Sequence, residues 1–148
     1  LKIIIETPGE DAEDEIIIRC RELDDDLVRF INYLKTGSTH ITGHLNGSIK
    51  QLSPKDICYF ESVDNKVFAY CEREVYEVKE KLYEIEERFE HSDFQRISKS
   101  VIVNVSVIDY ISPLIGSRLE AKLKNGEKVI ISRQYVPELK KKIGIAER

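Results

Sequence analysis

From Ile41 onward, apolar and polar residues alternate in short runs, and turn-forming residues break the runs at regular spacing. That pattern confines the region to strands. A period of two sends alternate side chains to opposite faces of a sheet, whereas a helix needs apolar residues three and four apart. His44-Leu45-Asn46-Gly47-Ser48-Ile49 contains an Asn-Gly pair, a strong hairpin signal because both central residues of the favoured turn need positive φ. Lys124-Asn125-Gly126-Glu127 is a second such signal, joining strands at 119–123 and 128–131. Ser53-Pro54-Lys55-Asp56 reads as a turn, ICYFES at 57–62 as a strand, and Val63-Asp64-Asn65-Lys66 as the turn into a strand at 67–71. Further strands are expected at 75–78, 94–97, 101–105 and 108–112, with Ser98-Lys99-Ser100 as an interruption.

Helices are few. Leu82, Ile85 and Phe89 set a helical stripe at about 79–89. Ser132 is placed to cap a last helix running towards Gly144, with Val136, Leu139 and Ile143 as its stripe and Pro137 tolerable in its first turns. The expected class is mainly β with a few short helices, α+β overall, around a sandwich-like body.

The first forty residues differ. Residues 2–6 form a β-type run, Thr7-Pro8-Gly9 breaks it, acids extend the loop, and EIIIRCR at 15–21 alternates again. Asp24-Asp25-Asp26 then opens a helix, one acid as cap and the others favoured by the dipole. Leu27, Phe30, Ile31 and Leu34 give its apolar stripe, and Lys35-Thr36-Gly37-Ser38-Thr39 is the best linker. Two units follow: a strand-strand-helix segment at 1–40, for packing or dimerisation, and a body at 41–148.

Charge is uneven. The chain of 148 residues has a net charge of −4, which on its face disfavours a polyanionic partner. Residues 1–40 carry 5 bases against 10 acids, 41–92 carry 7 against 11, and 93–148 carry 11 against 6. The last third is therefore net positive, a weak pointer to a local polyanion-binding surface. No apolar run approaches the roughly 20 residues of a membrane span, and Ile3-Ile4-Ile5 is too short for a signal peptide. Cys20, Cys58 and Cys71 are odd in number and include no CxxC pair, as expected of reduced thiols in a cytoplasmic protein. His40 and His44 lie four apart beside Gly43, in a stretch too rich in turn formers for a helix, so no metal-ligand pattern results.

Catalytic signatures are absent from the chain: no GxGxxG, Walker A sequence, HExxH or GxSxG. Glu61 reads as a strand-end carboxylate rather than a general acid, so no enzyme, catalytic residue, cofactor or small-molecule substrate is expected. More informative are polar and basic clusters where strands end: Asn65 and Lys66; Arg96, Ser98, Lys99 and Ser100; Arg133, Gln134 and Tyr135. Each cluster alone reads as a solvated loop. Together they form a candidate surface for phosphates and base edges, with the ligand left open by residue chemistry.

Four stretches carry a resemblance: DICYFESVDNKVFAY at 56–70, EKLYEIEERF at 80–89, FQRISKSVIVN at 94–104 and NGEKVIISRQYVPELKKKIG at 125–144. In order and spacing they resemble the LytTR family of bacterial DNA-binding domains over about 41–144. The resemblance implies strands in three small sheets and loops, not a recognition helix, entering successive DNA grooves. It places DNA contacts on the same three clusters. Lys66 and Lys99 depart from the His, Asn or aromatic residues common there, which favours phosphate contact, and Lys66, Lys99 and Arg96 are expected mostly to position the DNA backbone. Arg133 is the best candidate for a base contact, to guanine. Asn104 matches a characteristic Asn and is placed to brace a loop.

The resemblance further implies a bacterial transcription regulator of duplex DNA, without a receiver domain, binding direct repeats or paired half-sites as a homodimer. A regulatory membrane-protein partner is a family-level suggestion. Residues 1–40 are too few for a doubly wound receiver sheet, so Asp24-Asp25-Asp26 reads as a helix start and not as a phosphorylation pocket. The competing reading is a protein-interaction module that keeps the β body and has lost DNA binding.

Overall fold

In the computed structural model, which describes residues 1–36 and 40–145, ten strands form two antiparallel sheets. The larger contains β1 (Ile41–Leu45), β2 (Ser48–Leu52), β3 (Ile57–Val63), β4 (Lys66–Cys71), β5 (Val75–Val78), β6 (Phe94–Arg96) and β7 (Val101–Asn104). Its order is β2-β1-β5-β4-β3-β7-β6. The smaller runs β10-β9-β8, from β8 (Ile108–Leu114), β9 (Arg118–Leu123) and β10 (Lys128–Ile131). Helices α1 (Asp25–Thr36), α2 (Leu82–Arg88) and α3 (Val136–Lys142) complete the described elements. The expected mainly-β class is the one observed, with two sheets in place of three small ones. Hairpin β1–β2 joins the rest through a single register pair, His44 opposite Glu77, which merges it into the larger sheet.

Turn chemistry fixes the registers. Asn46 and Gly47 have φ of 50° and 82°, the left-handed pair of a two-residue hairpin that sets Leu45 opposite Ser48. Asp64 and Asn65 repeat this geometry at φ 51° and 64°, setting Val63 opposite Lys66. Short polar side chains tolerate this region better than others. A bulge between Ile57 and Tyr59 shifts β3 against β4. Ile57 and Phe60, three apart, thus share one core, while Cys58 serves the other.

Two cores lie on opposite faces of the larger sheet. Phe60, Ala69, Ile102 and Phe94 pack with Leu82, Ile85 and Phe89 from α2 and the turn that ends it. Cys58, Val103 and Ile97 pack with Ala121, Leu123, Val129 and Ile131 of the smaller sheet and Leu139 of α3. Asn104 ties β7 to β3 and to the turn that leads into β8. It is 2% exposed, its Nδ2 donates to Ile57 O at 3.0 Å, and its Oδ1 accepts from Ser106 N and Oγ at 3.0 and 2.7 Å. The bracing role expected of it holds.

Three local expectations change. Residues 1–24 form neither of the two strands expected at 2–6 and 15–21, although α1 follows them. The cause is pairing: a strand needs a partner ladder, and no described strand accepts theirs. Ser132 precedes a 3-10 turn and makes no side-chain cap bond there; α3 begins only at Val136. Helix α2 is shorter than 79–89, because Lys81 is its N-cap, with its N–H donating to Glu84 Oε1 at 3.0 Å. At α1 the cap is as expected: Asp24 Oδ1 accepts from Leu27 N at 2.8 Å. The expected linker's centre, 37–39, lies outside the described residues.

Candidate nucleic-acid interface

The three polar clusters meet through backbone hydrogen bonds at one end of the larger sheet. Strand β7 lies antiparallel to β3 with Val101 opposite Glu61, so the loop before β7 runs beside the end of β3. Ser62 N donates to Ser100 O at 2.8 Å, which ties that loop to the strand leading into the Asp64-Asn65 turn. Ile97 N donates to Val101 O at 3.0 Å, closing the loop at its base. Ser132 N donates to Ile97 O at 2.8 Å, which brings the Arg133–Tyr135 turn alongside. Three segments distant in sequence thus form one row.

The side chains in that row divide into braced and free. Arg96 is braced: its Nε donates to Ser98 O at 2.7 Å, its Nη2 donates to Lys99 O, and its Nη1 lies 3.8 Å from Glu86 Oε1. Its side chain is 15% exposed. Ser98 Oγ accepts from Ser100 N at 3.2 Å, a local turn that presents Lys99 outward. Tyr135 is half-buried against the second core, and so contributes packing. Lys66 is exposed and lies 3.9 Å from Glu77, a weak surface pair. Lys99, Arg133, Gln134 and Asn65 are exposed, and among the described residues Lys99 and Arg133 have no side-chain hydrogen bond or ion pair. Two cations without partners on adjacent loops can each take a phosphate oxygen or a base edge without breaking an internal contact.

Ile97 and Ser62 belong to expected strands, and sequence reasoning gave neither a part in the site. Ile97 is wholly buried, and its backbone joins two of the three loops. Glu61 accepts a hydrogen bond from Tyr70 Oη at 3.2 Å, as a strand carboxylate does. The Tyr70 ring in turn stacks on Tyr59 with centroids 4.4 Å apart. Burial, helped by Glu127, pushes the Tyr59 hydroxyl well above the ordinary tyrosine range, so it is a neutral packing group. Among the described residues no group of three His, Cys, Asp or Glu is gathered for a metal ion, and no helix is long and apolar enough to cross a membrane.

Comparison with known proteins supplies the context for this row. The family model of the LytTr DNA-binding domain matches residues 47–144. Sensory transduction protein LytT of Bacillus anthracis is 36% identical over 98 residues, covering 66% of this chain and 40% of LytT. LytT of Bacillus subtilis is 29% identical over 136 residues, covering 92% of this chain and 56% of its own length. The chain therefore spans about half or less of these curated relatives. An uncharacterized HTH-type transcriptional regulator of Staphylococcus aureus is 24% identical over 147 residues, 98% of this chain and 99% of that protein. A solved LytTr DNA-binding domain from Bacillus cereus superposes with a TM-score of 0.69 at 28% identity, over 74% of this chain and 100% of that one.

Proposed function

Starting from a chain that belongs to the LytTR DNA-binding domain family, we propose that it is a sequence-specific regulator of transcription whose three adjoining loops contact duplex DNA. In this reading Arg133 reads a base, guanine by its fork of donors. Lys66, Lys99, Asn65, Ser98, Ser100, Gln134 and Tyr135 hold phosphate and sugar or steer the loops, and Arg96 shapes the second loop. The carrying observation is the row of backbone bonds from Ser62 through Ser100 and Ile97 to Ser132, with Lys99 and Arg133 unpaired beside it among the described residues.

Residues 41–148 form the DNA-binding body, and 1–40 serve packing or dimerisation. The protein acts in the cytoplasm as a homodimer on direct repeats or paired half-sites, without a receiver domain in these residues and open to control by a membrane-protein partner. The described strands pair only antiparallel, so none builds a doubly wound receiver sheet.

Selection from a random-sequence duplex library tests this. A consensus sequence should emerge, with affinity falling as salt rises. Arg133→Ala should cost about 1–3 kcal/mol and relax one base position. An unchanged consensus would remove Arg133 from base reading. No retained sequence at low salt would leave the β body as a protein-interaction module.

A further inference from the structure

Residues 1–24 expose more apolar surface than a free segment explains. Ile3, Ile4 and Ile5 are 77%, 67% and 91% exposed, and Ile16 and Ile17 are 68% and 66% exposed. Isoleucine runs of this kind favour strands and need a pairing edge. The flanking charges say which edge.

The two triplets are Lys2-Ile3-Ile4-Ile5-Glu6 and Glu15-Ile16-Ile17-Ile18-Arg19. A hairpin within one chain that aligned the triplets would set Lys2 against Arg19 and Glu6 against Glu15, like charges at both ends. Antiparallel exchange of unlike strands between two copies gives the same clashes, and parallel exchange matches the charges but pairs less stably per residue. A parallel alignment within one chain matches the charges, but residues 7–14 are too few for the usual crossover of a dozen or more. Antiparallel pairing of each triplet with its own copy satisfies every end: Lys2 meets Glu6, Ile4 meets Ile4, Glu15 meets Arg19 and Ile17 meets Ile17. Opposite charges directly across a ladder stabilise it, and like charges destabilise it.

We infer that residues 2–6 and 15–19 each form an antiparallel ribbon with the same residues of a second copy of this chain, on one two-fold axis through Ile4 and Ile17. The interface is self-complementary, as a two-fold contact requires. Ile3 and Ile5 of one ribbon and Ile16 and Ile18 of the other lie on faces that stack. The inference deepens the homodimer part of the proposed function and needs no DNA contact.

Charge-swapped chains test it by sedimentation equilibrium of the full chain without DNA. Lys2→Glu with Arg19→Glu makes both triplets acidic at each end. Glu6→Lys with Glu15→Lys makes them basic. Each variant alone should be monomeric where the unaltered chain is dimeric, and an equimolar mixture should recover the dimer. Circular dichroism confirms that the β body stays folded. Separately, Ile4→Cys in a Cys20→Ser background should cross-link between chains under oxidising conditions. A monomeric unaltered chain, variants as dimeric as that chain, or a mixture that stays monomeric overturns the inference. A duplex carrying a single site should still bind the monomeric variants. Loss of DNA binding by an intact dimer would defeat the DNA reading and leave this one standing.

Discussion

Replacing Arg96 separates a group that shapes a loop from one that touches DNA. Its guanidinium bridges the carbonyls of Ser98 and Lys99 and faces Glu86. A hydrogen bond from a charged donor contributes about 1.5–3 kcal/mol when shielded, which describes the half-buried bond to Ser98 O. The bond to Lys99 O is exposed and Glu86 is 47% exposed, so these add roughly 0–1 kcal/mol together. Arg96→Ala should therefore favour the open loop by about 2 kcal/mol, near 30-fold in the opening equilibrium. Apparent DNA affinity scales with the fraction of closed loop, so about 30-fold is the ceiling on its loss. Fluorescence anisotropy with the library-selected duplex, at several salt concentrations, reads the affinity. Amide exchange at Ser62, whose N–H donates to Ser100 O, reads the loop. Faster exchange with an unchanged salt slope is the expected result. Arg96→Lys should not restore the loop, because one ammonium cannot replace the two-nitrogen fork. Lys99→Ala gives the contrast: unchanged exchange and a slope lower by roughly one. If Arg96→Ala instead lowers the slope by one and leaves Ser62 protected, Arg96 is a phosphate contact and the bracing argument fails.

The other expectations concern stability and thiol chemistry. Asn104→Ala removes the donor to Ile57 O and the acceptor for Ser106, costing about 1–3 kcal/mol in urea unfolding; an unchanged midpoint would show that the fold does not depend on these bonds. Gly43 has no room for a side chain, since a Cβ there would lie 2.8 Å from both Leu52 Cδ1 and Tyr76 Cβ. Gly43→Ala should cost about 1–3 kcal/mol, and a wild-type melting temperature would refute the close approach. Cys58 and Cys71 are held protonated chiefly by burial, Cys71 with its pKa pushed up to about 11, while Cys20 is exposed. Near pH 8 a disulfide reagent should titrate Cys20 quickly and the other two only after unfolding. The folded chain keeps thiol protons that the unfolded chain releases above 9.0, so this stability is complete below that pH and is lost as pH rises through about 11. A urea midpoint that rises over that range would reverse the assigned sign.

What the sequence makes legible here is what single residues decide. Asn46-Gly47 and Asp64-Asn65 place positive φ where hairpins need it, and the observed registers follow from those pairs. Asp24 caps α1 by a bond three residues long. Features set by partners distant in sequence are not legible in this way. EIIIRCR has every local mark of a strand, yet forms none in the single chain, because a ladder requires an edge that alternation does not supply. In the proposed dimer a second copy supplies that edge. Strict alternation along ICYFES would put Ile57 and Phe60 on opposite faces, whereas the bulge before Tyr59 lets Ile57 share a core with Phe60.

The candidate site divides along the same line. Residue type alone puts Arg96 and Arg133 in one class. Separating them needs the carbonyls of Ser98 and Lys99, which occupy Arg96, and the Ser132–Ile97 bond, which sets Arg133 beside the second loop with its side chain unpaired among the described residues. The net charge of −4 hides the same distinction. Glu77 and Glu86 lie close to Lys66 and Arg96 and offset those cations, whereas Lys99 and Arg133 are not offset in this way. Attraction to a phosphate backbone depends on the charges left uncompensated at the contact surface, within about a Debye length, so an acidic total and a DNA-binding edge are compatible.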